Sequence, residues 1–279
     1  MDILVEALWL ADRLRDPRTV LLDATLPPVG VVPPGDTHAR YLAGHLPGAV
    51  FFDIDVLSDH STSLPHMLPS ADTFSRQMSS LGIAEDDTLV VYEQEGVFSA
   101  PRAWWMLRTF GARHVHILNG GLRAWRDAGL PIESGPVHLP VASFHATLTP
   151  GAVKTFAQVQ QMLAEGAQIA DARSAARFAG STPEPRPGLR SGHMPGSISL
   201  PFTELVDDGR MKDMSTLRAI FAAKSIDIAQ PITTTCGSGV TAAVVLLGLE
   251  LAGAKDVSLY DGSWAEYAQQ PEAIIETSS

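Results

Sequence analysis

One cysteine, Cys236, stands in 279 residues, and that scarcity excludes an intramolecular disulfide, a cysteine-rich metal site and a CxxC redox pair. A lone thiol suits a reducing compartment, and a cytoplasmic location is expected. Positive charge is also short. Against 31 Asp and Glu there are 20 Lys and Arg, a formal charge of -11. No local basic cluster offsets it, so counterion release on a polyphosphate gives nothing to bind with, and nucleic acid is not an expected partner. Long apolar runs are missing too. The strongest, AAVVLLGLELAG from Ala242 to Gly253, is too short to span a bilayer and carries Glu250; it reads as a buried helix. Asp2, Glu6, Asp12, Arg13 and Arg15 interrupt the N-terminal segment, which reads as folded structure rather than a signal or transit peptide. No membrane partner is expected.

What is present is an ordinary globular composition, 45% hydrophobic and 18% charged, on a chain long enough for two domains. The chain also repeats itself. Leu22-Asp23-Ala24 answers Ala170-Asp171-Ala172, and GHLPG from Gly44 answers GHMPG from Gly192, both at an offset of 148. Gly111 to Val115 and Leu118 to Gly121 answer Gly253 to Val257 and Tyr260 to Ser263 at an offset of 142, so the first half holds about six extra residues between these landmarks. This predicts domains over residues 1–134 and 154–279, joined by a Pro- and Gly-rich linker over 135–153.

In each half short apolar runs alternate with amphipathic segments. Val20 to Leu22, Leu89 to Tyr92 and Val115 to Leu118 read as strands, answered by Gln168 to Ala170, Ile232 to Thr235 and Val257 to Tyr260. Thr73 to Leu81 and Ser215 to Lys224 read as helices, each with one apolar face. The fold class is α/β, with mainly parallel sheets flanked by helices.

Cys236 sits in TTTCGSGVT, between a strand end and the buried helix. Strand carboxyl ends gather ligands in open α/β sheets, and a helix start offers unpaired N–H groups and positive dipole charge. Both favour a thiolate. Gly237 and Gly239 let the loop turn its amides inward as a nest for an anionic sulfur. A cysteine phosphatase needs an arginine closing such a loop, and the position six after Cys236 is Ala242. A cysteine protease or acyltransferase needs a histidine base, and none follows His193, so that option requires one to approach in space.

The CGSGVT loop, the paired GHLPG and GHMPG segments, Ala100 to Trp105, Leu118 to Leu122 and Tyr260 to Trp264 resemble, over essentially the whole chain, the tandem-domain rhodanese family, and within it the 3-mercaptopyruvate sulfurtransferases. The resemblance implies two rhodanese-like domains, the second catalytic and the first silent, with Gln94 opposite Cys236 by the offset of 142. It implies a Cys236 persulfide, fed by 3-mercaptopyruvate and emptied by a thiol, thioredoxin or cyanide. No cofactor and no metal are implied. Thiosulfate is the alternative donor, and a non-catalytic binding module is a third reading. Members that use thiosulfate usually carry basic residues where Gly237 and Ser238 stand; a compact dianion benefits from cations beside the nucleophile, whereas mercaptopyruvate carries its charge several bonds from the transferred sulfur.

By the same resemblance, Arg177 and Arg186 bind the donor's carboxylate and carbonyl, a task suited to a planar guanidinium fork. Gly237, Gly239, Val240 and Thr241 form the binding loop. A proton relay maps onto Ser238, His45 and Asp36. Arg173, Arg190 and His193 read as structural or surface residues, and Trp104, Trp105, Asp261, Ser263 and Trp264 as packing and turn residues.

Overall fold

The computed structural model describes residues 2–27 and 35–278. They form two compact units. One comprises Met1–His60, Leu68–Thr149 and Asp208–Met211; the other comprises Ser61–Met67, Pro150–Asp207 and Lys212–Ser279.

In the first unit five parallel strands lie in the order Leu4–Val5, His114–Leu118, Thr88–Tyr92, Thr19–Asp23, Val50–Phe51. In the second the order is Val153–Lys154, Val257–Tyr260, Ile232–Thr235, Gln168–Asp171, Ile198–Ser199, again all parallel. Taken along the chain, both sheets run first, fifth, fourth, second, third. The duplication in sequence is therefore a duplication in topology. Central strands such as Thr88–Tyr92 and Ile232–Thr235 are buried along nearly their whole length, which is why they read as continuous runs rather than alternating ones.

Helices begin where a side chain can satisfy their first amides. Ser70 accepts from Thr73 N–H and starts Ala71–Ser80; Asp213 accepts from Ser215 and Thr216 and starts Met214–Ala223. Both start a little before the apolar periodicity does, because the first turn is set by its cap rather than by its buried face. Phe74 and Met78, and Leu217 and Phe221, are the residues these helices bury, each worth roughly 1.5–3 kcal/mol removed from water. Val240–Ala252 is different, buried without a break from Ala242 to Leu249, as its uniformly apolar sequence requires. Among the described residues no helix is long and apolar enough to cross a membrane.

The stretch expected as a linker holds no helix or strand before Val153–Lys154, yet most of it is tied down. Its amides at Ala142, Phe144, Ala146, Thr147 and Thr149 donate to Ser79 O, Ser79 Oγ, Ser75 Oγ, Phe110 O and Thr109 O at 2.8 to 3.1 Å. Gly82, at φ +77°, is where this strap passes closest: a Cβ there would lie 2.4 Å from Leu139 Cβ and 2.7 Å from Pro140 O.

Candidate active site

Cys236 follows the strand Ile232–Thr235, and Gly239, left-handed at φ +81°, caps the helix Val240–Ala252. This turn aims the Gly239 N–H at Cys236 Sγ, 3.1 Å away, a bond that a thiolate accepts more strongly than a thiol. The loop is held from beneath by the turn at 263–265. Cys236 N–H donates to Ser263 Oγ at 3.3 Å, while Trp264 and Ala265 N–H donate to the carbonyls of Cys236 and Gly237 at 2.9 and 3.0 Å. Ser263 and Trp264, expected as turn and packing residues, thus set the path of the loop. Val240 and Thr241 form the first turn of the helix.

Ser238, two residues on, is the meeting point of two charged or titratable side chains. Its Oγ lies 2.9 Å from His66 Nδ1 and accepts from Arg186 Nη2 at 3.3 Å. With Arg186 donating to it, the hydroxyl can still give its own proton to His66 Nδ1 or accept one from it, according to the imidazole tautomer. His66 adopts φ +60°, and Ser263 adopts φ +49°. Two of the few non-glycine residues held in this costly conformation therefore support one loop, where strain commonly marks a working site.

Arg177 lies against the loop at Gly237. A Cβ on Gly237 would fall 2.9 Å from Arg177 Nη2, so the absent side chain is what admits the guanidinium. Arg177 is gripped by Glu184, with Nε to Oε1 at 3.2 Å and Nη2 to Oε2 at 2.5 Å. Glu184 Oε1 also accepts from Arg173 Nη1 at 2.9 Å, and Arg173 grips Asp171 through Nε and Nη2 at 2.6 to 3.1 Å. Arg173 is fully buried, stacked 4.1 Å over the Trp264 ring; its neighbouring carboxylates hold the guanidinium's pKa up against the burial that would lower it. It is a structural cation, not a surface one. Arg190 donates to the carbonyls of Ala268, Gln270 and Ala273.

Thus Cys236, Ser238, Arg177, Arg186, Gly237 and Gly239 come together in the second unit. The histidine they meet is His66. His45 belongs to the first unit, where its ring is buried, stacked 4.3 Å from Tyr41, and donates Nδ1–H to Tyr41 O at 2.9 Å. His193 repeats this arrangement on Phe178, at 3.9 Å and 2.8 Å. Both histidines also exchange paired backbone hydrogen bonds, His45 with Glu133 and His193 with Glu276. The GH(L/M)PG histidine therefore fixes the same turn twice. Asp36 is exposed and caps the helix Thr37–Ala43, accepting from Ala39 N–H at 2.8 Å.

The expectation that Gln94 stands opposite Cys236 is off by one residue. Ala24 N–H reaches Tyr92 O as Ala172 N–H reaches Thr235 O, both 2.8 Å, and Leu122 N–H reaches Glu93 O as Trp264 N–H reaches Cys236 O, both 2.9 Å. Glu93 is the counterpart. The offset failed because the loop from Glu93 to its helix cap, Ser99, is three residues longer than the loop from Cys236 to Gly239, while the stretch from that cap to Gly111 is two residues shorter than the stretch from Gly239 to Gly253, a net shift of one. Glu184 and His66 carried no signal strong enough to single them out: the first lies in a charged run read for its arginines, the second in the Ser- and Pro-rich STSLPHMLPS, which the second half does not repeat. That lack of repetition was the available clue.

The Rhodanese-like domain model matches residues 6–128 and again 155–270. The 3-mercaptopyruvate sulfurtransferase of Escherichia coli K12 is 48% identical over 273 residues, covering 98% of this chain and 97% of its own. The thiosulfate sulfurtransferase of Bos taurus is 42% identical over 275 residues, covering 95% and 91%. The crystal structure of the E. coli 3-mercaptopyruvate sulfotransferase SseA superposes with a TM-score of 0.88 at 46% identity, covering 95% of this chain and 99% of that one. With matched topology in both units, the chain belongs to the rhodanese family and carries two tandem copies of its domain.

Proposed function

We propose that the protein is a sulfurtransferase that takes sulfur from 3-mercaptopyruvate and passes it on through a Cys236 persulfide. The observation that carries this is the Cys236 loop: a thiol facing the Gly239 amide, with neutral residues at 237 and 238 and a guanidinium group against each of them. The Cys236 thiolate attacks the donor's sulfur; the new S–S bond forms as the C–S bond breaks, and the electron pair leaves as the enolate of pyruvate. Arg177 and Arg186 meet the carboxylate and carbonyl. Ser238, paired with His66, lies where a hydroxyl can hydrogen-bond the enolate oxygen while a proton returns to carbon. In this relay His66 takes the place that motif matching gave to His45. A nucleophilic acceptor then takes the terminal sulfur as the S–S bond breaks, restoring the Cys236 thiolate; a small thiol, thioredoxin or cyanide fits this step. Domains over 1–134 and 154–279, with the first catalytically silent, suit this reading, as does a reducing, cytoplasmic setting for the one thiol.

Thiosulfate as the donor is favoured by one observation, the 42% identity to the bovine thiosulfate sulfurtransferase. Against it stands the neutral pair Gly237 and Ser238 beside the nucleophile. Steady-state pyruvate release from 3-mercaptopyruvate, run beside thiosulfate with cyanide, decides between them. Wild type should turn over mercaptopyruvate with the higher kcat/KM, and Cys236→Ser should lose at least about 10³-fold with either donor. A thiosulfate preference reverses the donor, and full activity in Cys236→Ser removes the persulfide mechanism.

A further inference from the structure

We infer that Glu184 sets the charge of the donor pocket, and through it the choice of a monoanionic over a dianionic donor, by holding Arg177 in one orientation and neutralising it. This rests on the sulfurtransferase reading above. The carboxylate of Glu184 is almost wholly buried and is shared by two guanidinium groups, Arg173 at 2.9 Å and Arg177 at 2.5 and 3.2 Å. Asp171, Arg173, Glu184 and Arg177 make a continuous chain of alternating sign whose formal charges cancel. Arg186, at 3.3 Å from Ser238 Oγ, places a second guanidinium next to the loop. A pocket in which Glu184 offsets the charge of Arg177 suits a donor with one carboxylate over a dianion.

Glu184 also decides which edge of Arg177 faces the donor. Its grip occupies Nε and Nη2, and Nη1 has no protein hydrogen-bond partner among the described residues. Nη1 would lie 3.7 Å from a Cβ on Gly237, so the open nitrogen is held beside the Cys236 loop, behind the Nη2 that Glu184 grips. Glu184 is a positioning residue: it acts on the donor through Arg177.

The test is Glu184→Gln, which removes the charge and keeps the shape, beside Glu184→Asp, which keeps the charge and shortens the reach. In the Gln variant the KM for mercaptopyruvate should rise about tenfold with kcat changed less than about threefold, because a ground-state carboxylate contact is lost. The ratio of thiosulfate to mercaptopyruvate kcat/KM should rise. A second readout is independent of turnover: the rate of Cys236 alkylation by iodoacetate divided by that for iodoacetamide should rise about fivefold in the Gln variant, as an added net positive charge attracts the anionic reagent. The Asp variant should keep the wild-type alkylation ratio and still show the raised KM. An unchanged alkylation ratio in a cooperatively unfolding Gln variant overturns the inference, and so does a wild-type KM in the Asp variant if the Gln variant does not fold. Wild type failing with both donors would instead overturn the proposed function, leaving the alkylation ratio to judge Glu184.

Discussion

The two units place different chemistry at the same turn of the same fold. After the fourth strand of the second unit, the loop offers the Gly239 amide to a thiol sulfur. After the fourth strand of the first, Glu93 folds its own carboxylate into the corresponding helix start, accepting from the N–H groups of Phe98, Ser99 and Ala100 and from the Ser99 hydroxyl. One nest is open to a reacting atom; the other is filled by the protein itself. The sites beside them differ in the same sense. Asp171 is held by the Arg173 cation, whereas Asp23, its counterpart, is held by Thr25 and by the Gln94 amide. A repeated fold supplies the anion-binding geometry, and a few side chains decide whether it serves a substrate or closes on itself.

Breaking the ionic chain of the second unit should have the largest effect on stability. Arg173→Met leaves Asp171 and Glu184 buried without their shared cation and is expected to cost about 3–5 kcal/mol, read as a lower midpoint in urea. A loss below 1 kcal/mol would show that the chain is not structural. The self-filled nest of the first unit should matter less: Glu93→Gln turns an N–H toward amide donors and should cost about 1–3 kcal/mol while leaving kcat for sulfur transfer within about twofold, since this loop carries no reacting atom. A large drop in kcat in a stable Glu93→Gln protein would end the contrast between silent and working loops.

The smallest effect is in pH dependence. Burial raises the pKa of Asp23 and of Glu93 above the ordinary carboxylate values. A raised folded-state pKa favours folding while the group is protonated, so this contribution is full below the unfolded carboxylate range and is lost as pH rises through the folded values. Replacing Asp23 with Asn removes one of the two titrations. Urea unfolding from pH 4 to 8 should then show a shallower fall in stability than wild type; an equal or steeper fall would show that Asp23 does not titrate in this way.

Most of the fold was legible because the chain states it twice. Strands such as Ile232–Thr235 and Val257–Tyr260 match their sequence spans, and agreement between the halves supported reading both as the same α/β unit, while the order of the strands in each sheet came only with the structure. The thiol, Ser238 and the two arginines were legible because they lie in motifs with a chemical reading. The GHLPG histidine drew attention through the relay that the resemblance implied, whereas its recurrence pointed to a turn; what recurs is a ring stacked on an aromatic side chain with its N–H on a backbone carbonyl. His66 was hidden, lying in a segment the second half lacks and meeting Ser238 only across 172 positions of chain. Glu184 was hidden because one carboxylate shared by two guanidinium groups has no signature in the order of residues.

The strap over residues 142–149 bears on where the chain can be divided. A cut placed after residue 134, where composition alone suggests it, would strip Ser75, Ser79, Thr109 and Phe110 of their strap partners and uncover the surface that Gly82 keeps flat. A cut after Thr149 leaves all of them paired. The cooperative folding unit of the first half thus extends some fifteen residues past residue 134, and a protease or a designer seeking an autonomous piece would find the natural seam there.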